Sequence, residues 1–156
     1  MPGISPFMIS HSLNVNPMAR PVKQKKRKFA IDRVKAVKQE TKKFFKVDFI
    51  QEVHYPDLLL NMVKVKKTNG KWRMCVDFTD LNKACLKDNF PLSLINRLVD
   101  ASFGHKVLSF IGAFSSCNLI MMNLGDQKKT IFITKEGLYY YKVMSFSFKN
   151  AGATYQ

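Results

Sequence analysis

The chain has 156 residues, 46% of them hydrophobic, and its 26 Lys and Arg against 11 Asp and Glu give a formal net charge of +15. That length fits one ordinary domain, or one domain with an arm, and 13 Phe with 8 Met point to a bulky core. No run of about 18 apolar residues exists to span a membrane, and no charged segment precedes an apolar one at the N-terminus, so an intracellular location (cytoplasm or nucleus, not secreted) is expected.

A surplus of positive charge draws nucleic acid or an anionic membrane surface from a distance, and less so as salt rises. Cys75, Cys85 and Cys117 are odd in number and lack Cys-x-x-Cys spacing, which argues against a disulfide framework and against a zinc site. Free thiols are expected. His11, His54 and His105 stand far apart and read as surface or half-buried residues rather than catalysts.

Residues 1–30 hold Pro2, Pro6, Pro17 and Pro21 with little apolar periodicity, and read as an extended basic arm. Within it, Lys23-Gln24-Lys25-Lys26-Arg27-Lys28 admits three readings: a nuclear-import signal, an arm that binds a phosphate backbone, or solvated charge. Residues 32–46 turn helical, because Asp32 can cap and Val34, Val37, Thr41, Phe44 and Phe45 fall near one face with lysines on the rest. A short strand is expected over 49–53, stopped by Tyr55-Pro56-Asp57.

Residues 61–78 read as a β-hairpin bent at Asn69-Gly70, since both residues tolerate positive φ. Trp72, Met74, Val76 and Phe78 then share one face, and Arg73, Cys75 and Asp77 the other. Lys66, Lys67, Lys71 and Arg73 gather around the bend. Such an arm can reach over a polyphosphate or a nucleic-acid backbone; it can equally be an exposed hairpin with a solvated tip.

A turn through Asp80-Leu81-Asn82 and an irregular stretch to Phe90 follow, and Pro91 suits a first helical position. Leu94, Ile95, Leu98 and Val99 form a helical stripe ending near Gly104. A short apolar strand is expected over 106–111, and a tight turn into a second helix over 112–122. Residues 130–134 and 138–143 alternate around Lys135-Glu136-Gly137 as a second hairpin, with Tyr139 and Tyr141 on one side. A final helix starts within 149–156. No internal repeat is visible.

Three blocks, VKVKKTNGKWRMCVDFTDLNKACLKDNFPL, VLSFIGAFSSCNLIMM and KTIFITKEGLYYYKVMSFSFKNAGATYQ, resemble in order and spacing the reverse transcriptases of gypsy-type LTR retrotransposons, particularly those of plants. The similarity is dense from Val63 to Gln156 and visible back to His11. It implies an α+β chain with a partial right-hand polymerase fold, fingers plus incomplete palm, built of antiparallel hairpins with packed helices. Residues 31–156 would be that partial domain, without the remaining palm, thumb, connection or RNase H. A sheet left incomplete in this way is expected to expose an edge and an apolar face and to dissolve poorly.

The resemblance also implies roles for residues. Lys66 and Arg73 match positions that touch the triphosphate of an incoming nucleotide, where a charged fork suits phosphate oxygens. Ala113, Phe114, Cys117 and Phe146 match the rest of the nucleotide pocket, Cys117 standing where the family has an aromatic gate against ribonucleotides. Asp77, Phe78 and Asn82 match the segment bordering the template, and Lys149, Gly152 and Gln156 the helix supporting it. The expected partners are RNA or DNA as template and primer, with a dNTP as a further ligand, and no membrane.

The family's chemistry needs two Mg²⁺ ions held by carboxylates. Its first aspartate lies in a Phe-x-Asp-Ala-Phe-Ser block, which here reads Phe110-Ile111-Gly112-Ala113-Phe114-Ser115. Gly112 offers no ligand, the family's Tyr-x-Asp-Asp turn is absent from these residues, and Asp100 and Asp126 do not fall on the matching strand end. No catalytic residue, metal site or cofactor is therefore expected for this chain. The family also has Pro where Leu86 and Ser145 stand, and Gly where Ser116 and Ser147 stand; serine in place of glycine is harmless at negative φ and strained at positive φ. The expected function is that of an RNA-directed DNA polymerase segment, truncated and inactive, with a nucleic-acid-binding remnant that grips backbone without copying as the alternative.

Overall fold

A computed structural model of the chain describes residues 3–27, 31–66, 68, 70, 72–89, 94–107 and 116–155. Among these, the elements run in the order β1 (Ser10–His11), α1 (Ile31–Lys46), β2 (Ile50–Glu52), β3 (Met62–Lys66), β4 (Trp72–Val76), α2 (Thr79–Ala84), α3 (Ile95–Ser102), β5 (Met121–Met122), α4 (Leu124–Gln127), β6 (Phe132–Ile133), β7 (Leu138–Tyr141) and α5 (Ala151–Tyr155). Single 3₁₀ turns cover Ser116–Leu119 and Lys128–Thr130. β7 is the middle of an antiparallel sheet, with β2 on one side and β6 on the other. β3 and β4 form a separate hairpin, and β1 runs parallel to β5.

Aromatic rings tie these pieces together. His11 stacks on Phe148 at 5.6 Å, Phe148 meets Phe78 edge-on at 4.6 Å, and Phe78 contacts Tyr141 at 6.4 Å. Tyr141 in turn contacts Phe132 at 5.4 Å, and Phe132 contacts Tyr139 at 6.1 Å. The line runs from the N-terminal segment through the end of the hairpin to the three-stranded sheet, so distant stretches of sequence share one core. Offset and edge-to-face geometry adds to simple burial here. Burial pushes the Tyr141 hydroxyl well above its ordinary value, with Cys75 adding to it.

α1 lays Val37 and Thr41 into the core, as its spacing requires, and half-buries Val34 and Phe44. Phe45, expected on the same face, is exposed instead. It lies one residue, or about 100°, further round the helix and meets only the edge of Tyr139, at 6.4 Å. The turn between β6 and β7 is closed by Thr134, whose hydroxyl donates to the Gly137 carbonyl and accepts from the Glu136 and Gly137 N–H groups. Tyr139 and Tyr141 both face Phe132, as alternation predicts.

Several elements differ from the sequence reading. The stretch 79–84 is a helix rather than a turn, stabilised by burial of Leu81. Residues 116–122 form a 3₁₀ turn and a strand rather than a helix. β5 has β1 on one side and a bridge to Val143 on the other, and these partners satisfy backbone groups a helix would have paired internally. Leu94, Val99, Phe103 and Val107, on α3 and flanking it, are all exposed. The expected strand beyond 107, Gly112, Ala113, Phe114, Pro91, Asn69 and Gln156 lie outside the described residues.

The N-terminal stretch is extended, as its prolines require, yet it is laid along the body. The Ile4 N–H donates to Leu119, Asn16 to Ala84, and Leu13 to the Asp126 carboxylate at 2.8 Å. His11 is fully buried here, not at the surface or half-buried as expected, and its Nδ1 is 2.7 Å from the Thr154 hydroxyl. Burial lowers its pKa below the ordinary 6.5, with Asp126 acting in the opposite direction. The unfolded chain therefore binds a proton at a higher pH than the folded chain does. Stability contributed by neutral His11 is intact above about 6.5 and is lost as pH falls towards the depressed folded value. Asp77, whose pKa is also lowered, acts only below its ordinary 3.8. Melting of the wild type should thus shift downward between pH 7 and 5.5, and His11→Gln should flatten that dependence. A wild-type melting temperature constant over this range would contradict the assignment.

Candidate nucleic-acid interface

The β3–β4 hairpin carries the exposed Arg73 on a regular frame. Its ladder sets Met62 opposite Val76, Val65 opposite Arg73 and Lys66 opposite Trp72. Gly70 takes φ +76°, which the bend needs and a side chain would resist. Met74 and Val76 are buried against α1, where the Thr41 hydroxyl lies 3.8 Å from the Met74 sulfur. Arg73 is on the opposite face, exposed, and has no ion-pair partner among the described residues. Burial pushes the thiol of Cys75, on Arg73's face, upward, and the guanidinium partly offsets it. Lys66 occupies the rung beside Arg73; its side chain lies outside the described residues.

At the hairpin's base the predicted template residues turn inward. Asp77 accepts from the Thr79 N–H at 3.2 Å and pairs with Arg27 at 3.0 Å. Its pKa is lowered chiefly by the hydrogen bond from Thr79, with Arg27 assisting and burial opposing. Phe78 is buried between Phe148 and Tyr141, a core side chain with no face open to a strand of nucleic acid. Asn82 donates to the Ser147 carbonyl at 2.9 Å and accepts from the Lys149 N–H at 3.0 Å. Lys149 reaches the Cys85 carbonyl at 2.6 Å, and Asn150 donates to Leu86 and accepts from Asp88.

These contacts bring Phe78, Asn82 and Lys149 into one cluster that fastens the 145–150 loop to α2, while Asp77 is tied to Arg27 and Thr79 instead. Phe146 projects from that loop, 67% exposed, and Gly152 is exposed on α5. Cys117 is half-buried against the core. Two of the positions that depart from the resembling family are accommodated. The Leu86 N–H donates to Asn14 at 2.9 Å, a bond that proline could not make, and Ser147 does not have positive φ. Sequence reading missed Gln24, Asn61 and Asn150. An amide residue directly before an alternating apolar strand, as Asn61 is, was the available signal for a buried polar clasp.

The acids described do not fit a pair of Mg²⁺ ions. Asp126 gives one oxygen to the Leu13 N–H and the other to Lys129 at 2.6 Å, Asp77 is committed as above, and Asp100 is exposed on α3.

No family model matches the chain. It is 33% identical to the Transposon Tf2-3 polyprotein of Schizosaccharomyces pombe over 92 residues, 59% of this chain and 7% of that polyprotein. The Transposon Tf2-7 polyprotein of the same yeast matches with the same identity and coverage. A longer match, 27% identical over 141 residues, covers 87% of this chain and 11% of the Retrovirus-related Pol polyprotein from transposon 412 of Drosophila melanogaster. The chain thus spans only 7–11% of the length of these relatives. The homologues of this chain are retrotransposon polyproteins.

Proposed function

We propose that the chain is a nucleic-acid-gripping segment related to the reverse transcriptases of gypsy-type LTR retrotransposons, with the fingers and adjoining palm of a right-hand polymerase, and that it holds template or primer backbone without copying it. The carrying observation is the imbalance of charge. Six of the 11 acids, Asp77, Asp80, Asp126, Glu136, Glu40 and Asp48, are already paired with a lysine or arginine, and the net +15 stands after all 11 have been counted. A polyanion neutralises that surplus. The absence of copying rests on Gly112, which has no side chain to bind a metal, and on the prior commitments of Asp77 and Asp126.

Two assays test this reading. Anisotropy titration with a fluorescent single-stranded RNA 20-mer at 50 mM salt should show saturable binding. Incorporation of dNTP on a primed RNA template with Mg²⁺ or Mn²⁺ should be undetectable for the wild type and for Gly112→Asp, since one restored carboxylate cannot hold two ions. Clear template-dependent incorporation by either chain would overturn the non-copying half of the proposal, and no binding at 50 mM would overturn the other half.

A further inference from the structure

The basic run from Lys23 to Lys28 admits three readings in the sequence, and the surroundings of residues 23–27 favour the backbone-binding one. Gln24 and Asn61 grip its backbone reciprocally. The Gln24 N–H donates to Leu59 at 2.8 Å, the Asn61 N–H donates to the Gln24 side-chain oxygen at 2.8 Å, and the Asn61 amide donates to the Lys25 carbonyl at 2.9 Å. The Arg27 N–H then donates back to the Asn61 side-chain oxygen at 3.2 Å. Gln24 also reaches Asp80 at 2.9 Å. Asn61, at the centre of this clasp, is buried, while Lys23, Lys25 and Lys26 stay exposed.

In an extended segment alternate residues point opposite ways and same-side neighbours are about 7 Å apart. Gln24 turns inward, and Lys23 and Lys25 outward. Lys25 overlooks an open trough of about 550 Å³, and Lys26 borders an adjoining cavity of about 500 Å³ that shares Arg27 and Asn61 with it. The acids nearest them do not cancel this charge, because Asp77 is held by Arg27 and Asp80 by Lys83 and Gln24. The Gln24 N–H, the Lys25 carbonyl and the Arg27 N–H are already taken by these bonds, so the main chain of the run is partly committed to the body. The exposed ammonium groups of Lys23, Lys25 and Lys26 suit sequence-indifferent contact with phosphates.

We propose that Lys23, Lys25 and Lys26 form a pre-ordered phosphate-binding edge for a nucleic-acid strand and that Asn61 is its positioning residue. This rests on the nucleic-acid-gripping reading above and adds where the backbone lies. Holding the segment straight before binding removes an ordering cost that a free tail would carry.

The test is anisotropy titration of the full chain against a fluorescent single-stranded RNA 20-mer between 50 and 300 mM salt. Lys23→Gln/Lys25→Gln/Lys26→Gln, all at the surface, should reduce the magnitude of the log–log salt slope by about 2 and the affinity at 50 mM by more than tenfold. Asn61→Ala retains every charge, so its slope should hold while affinity drops roughly fivefold and trypsin cuts the run faster. If Asn61→Ala does not fold, the lysine variant decides alone. Wild-type binding with an unchanged slope in the lysine variant overturns the edge and leaves the gripping reading standing; no wild-type binding overturns both. Equal affinity for poly-glutamate of matched charge would overturn the nucleic-acid assignment.

Discussion

Raising monovalent salt from 50 to 200 mM is expected to weaken binding of this chain to single-stranded RNA by roughly 300-fold, and to duplex DNA by roughly 2,000-fold. These figures follow from about six neutralised phosphates, at about 0.7 released counterions per contact on a single strand and 0.9 on a duplex. Six is a modest claim for a chain of net charge +15. Lys23, Lys25, Lys26 and Arg73 are exposed without an ion-pair partner among the described residues, and the lysine-rich face of α1 adds Lys42 and Lys46. Pairs such as Lys43–Glu40 are surface contacts worth little, and a phosphate can compete for their cations. A slope shallower than −1 would mean that the cations act only as solvated charge, the plainer of the readings the sequence allowed.

What the sequence disclosed, and what it hid, follows from the range of the forces involved. Both hairpins were legible because their determinants are local. Gly70 at a bend between alternating runs is one case, and Lys135-Glu136-Gly137 between β6 and β7 is another. α1 was legible from the spacing of Val34, Val37, Thr41 and Phe44. β1 and β5 were not, since two-residue strands carry no period and each exists only because its partner, over a hundred residues away, supplies the hydrogen bonds. The inward turn of Phe78 was half legible: alternation put it with Met74 and Val76 on the buried face, while the resemblance assigned it to the template border. Burial against Phe148 shows which influence acts on the ring itself.

The candidate site divides in the same way. Arg73 could be picked out by type and place on a hairpin. That Asp77 and Asn82 spend their polar atoms on Arg27, Thr79, Ser147 and Lys149 depends on contacts across long sequence separations, which no local pattern encodes. The basic run itself was plain in the sequence. The clasp that gives it a fixed shape was not, because it depends on Asn61 meeting Gln24 and Lys25 across a β-bridge between Lys23 and Leu59.

Phe132→Ala should be the most destabilising single substitution among the described aromatic residues. Phe132 is 0% exposed, and its ring contacts both Tyr139 and Tyr141 while its backbone bridges to Leu60. It therefore sits where the three-stranded sheet meets the segment leading into the basic hairpin. Truncation removes the ring's burial and leaves a cavity that the sheet, pinned by the turn at Thr134, cannot close. The cost is about 3–5 kcal/mol, a large part of the total stability of an ordinary domain, and it corresponds to a fall of about 10–15 °C in melting temperature. Phe146→Ala is the matched control. Its ring is 67% exposed, so stability should change by no more than about 0.5 kcal/mol. Thermal melts followed by circular dichroism compare the two directly. Were Phe132→Ala to melt within about 3 °C of the wild type, the aromatic line from His11 to Tyr139 could not be what joins the N-terminal segment, the hairpin and the sheet. The rigid footing proposed for the phosphate-binding edge would then be lost with it.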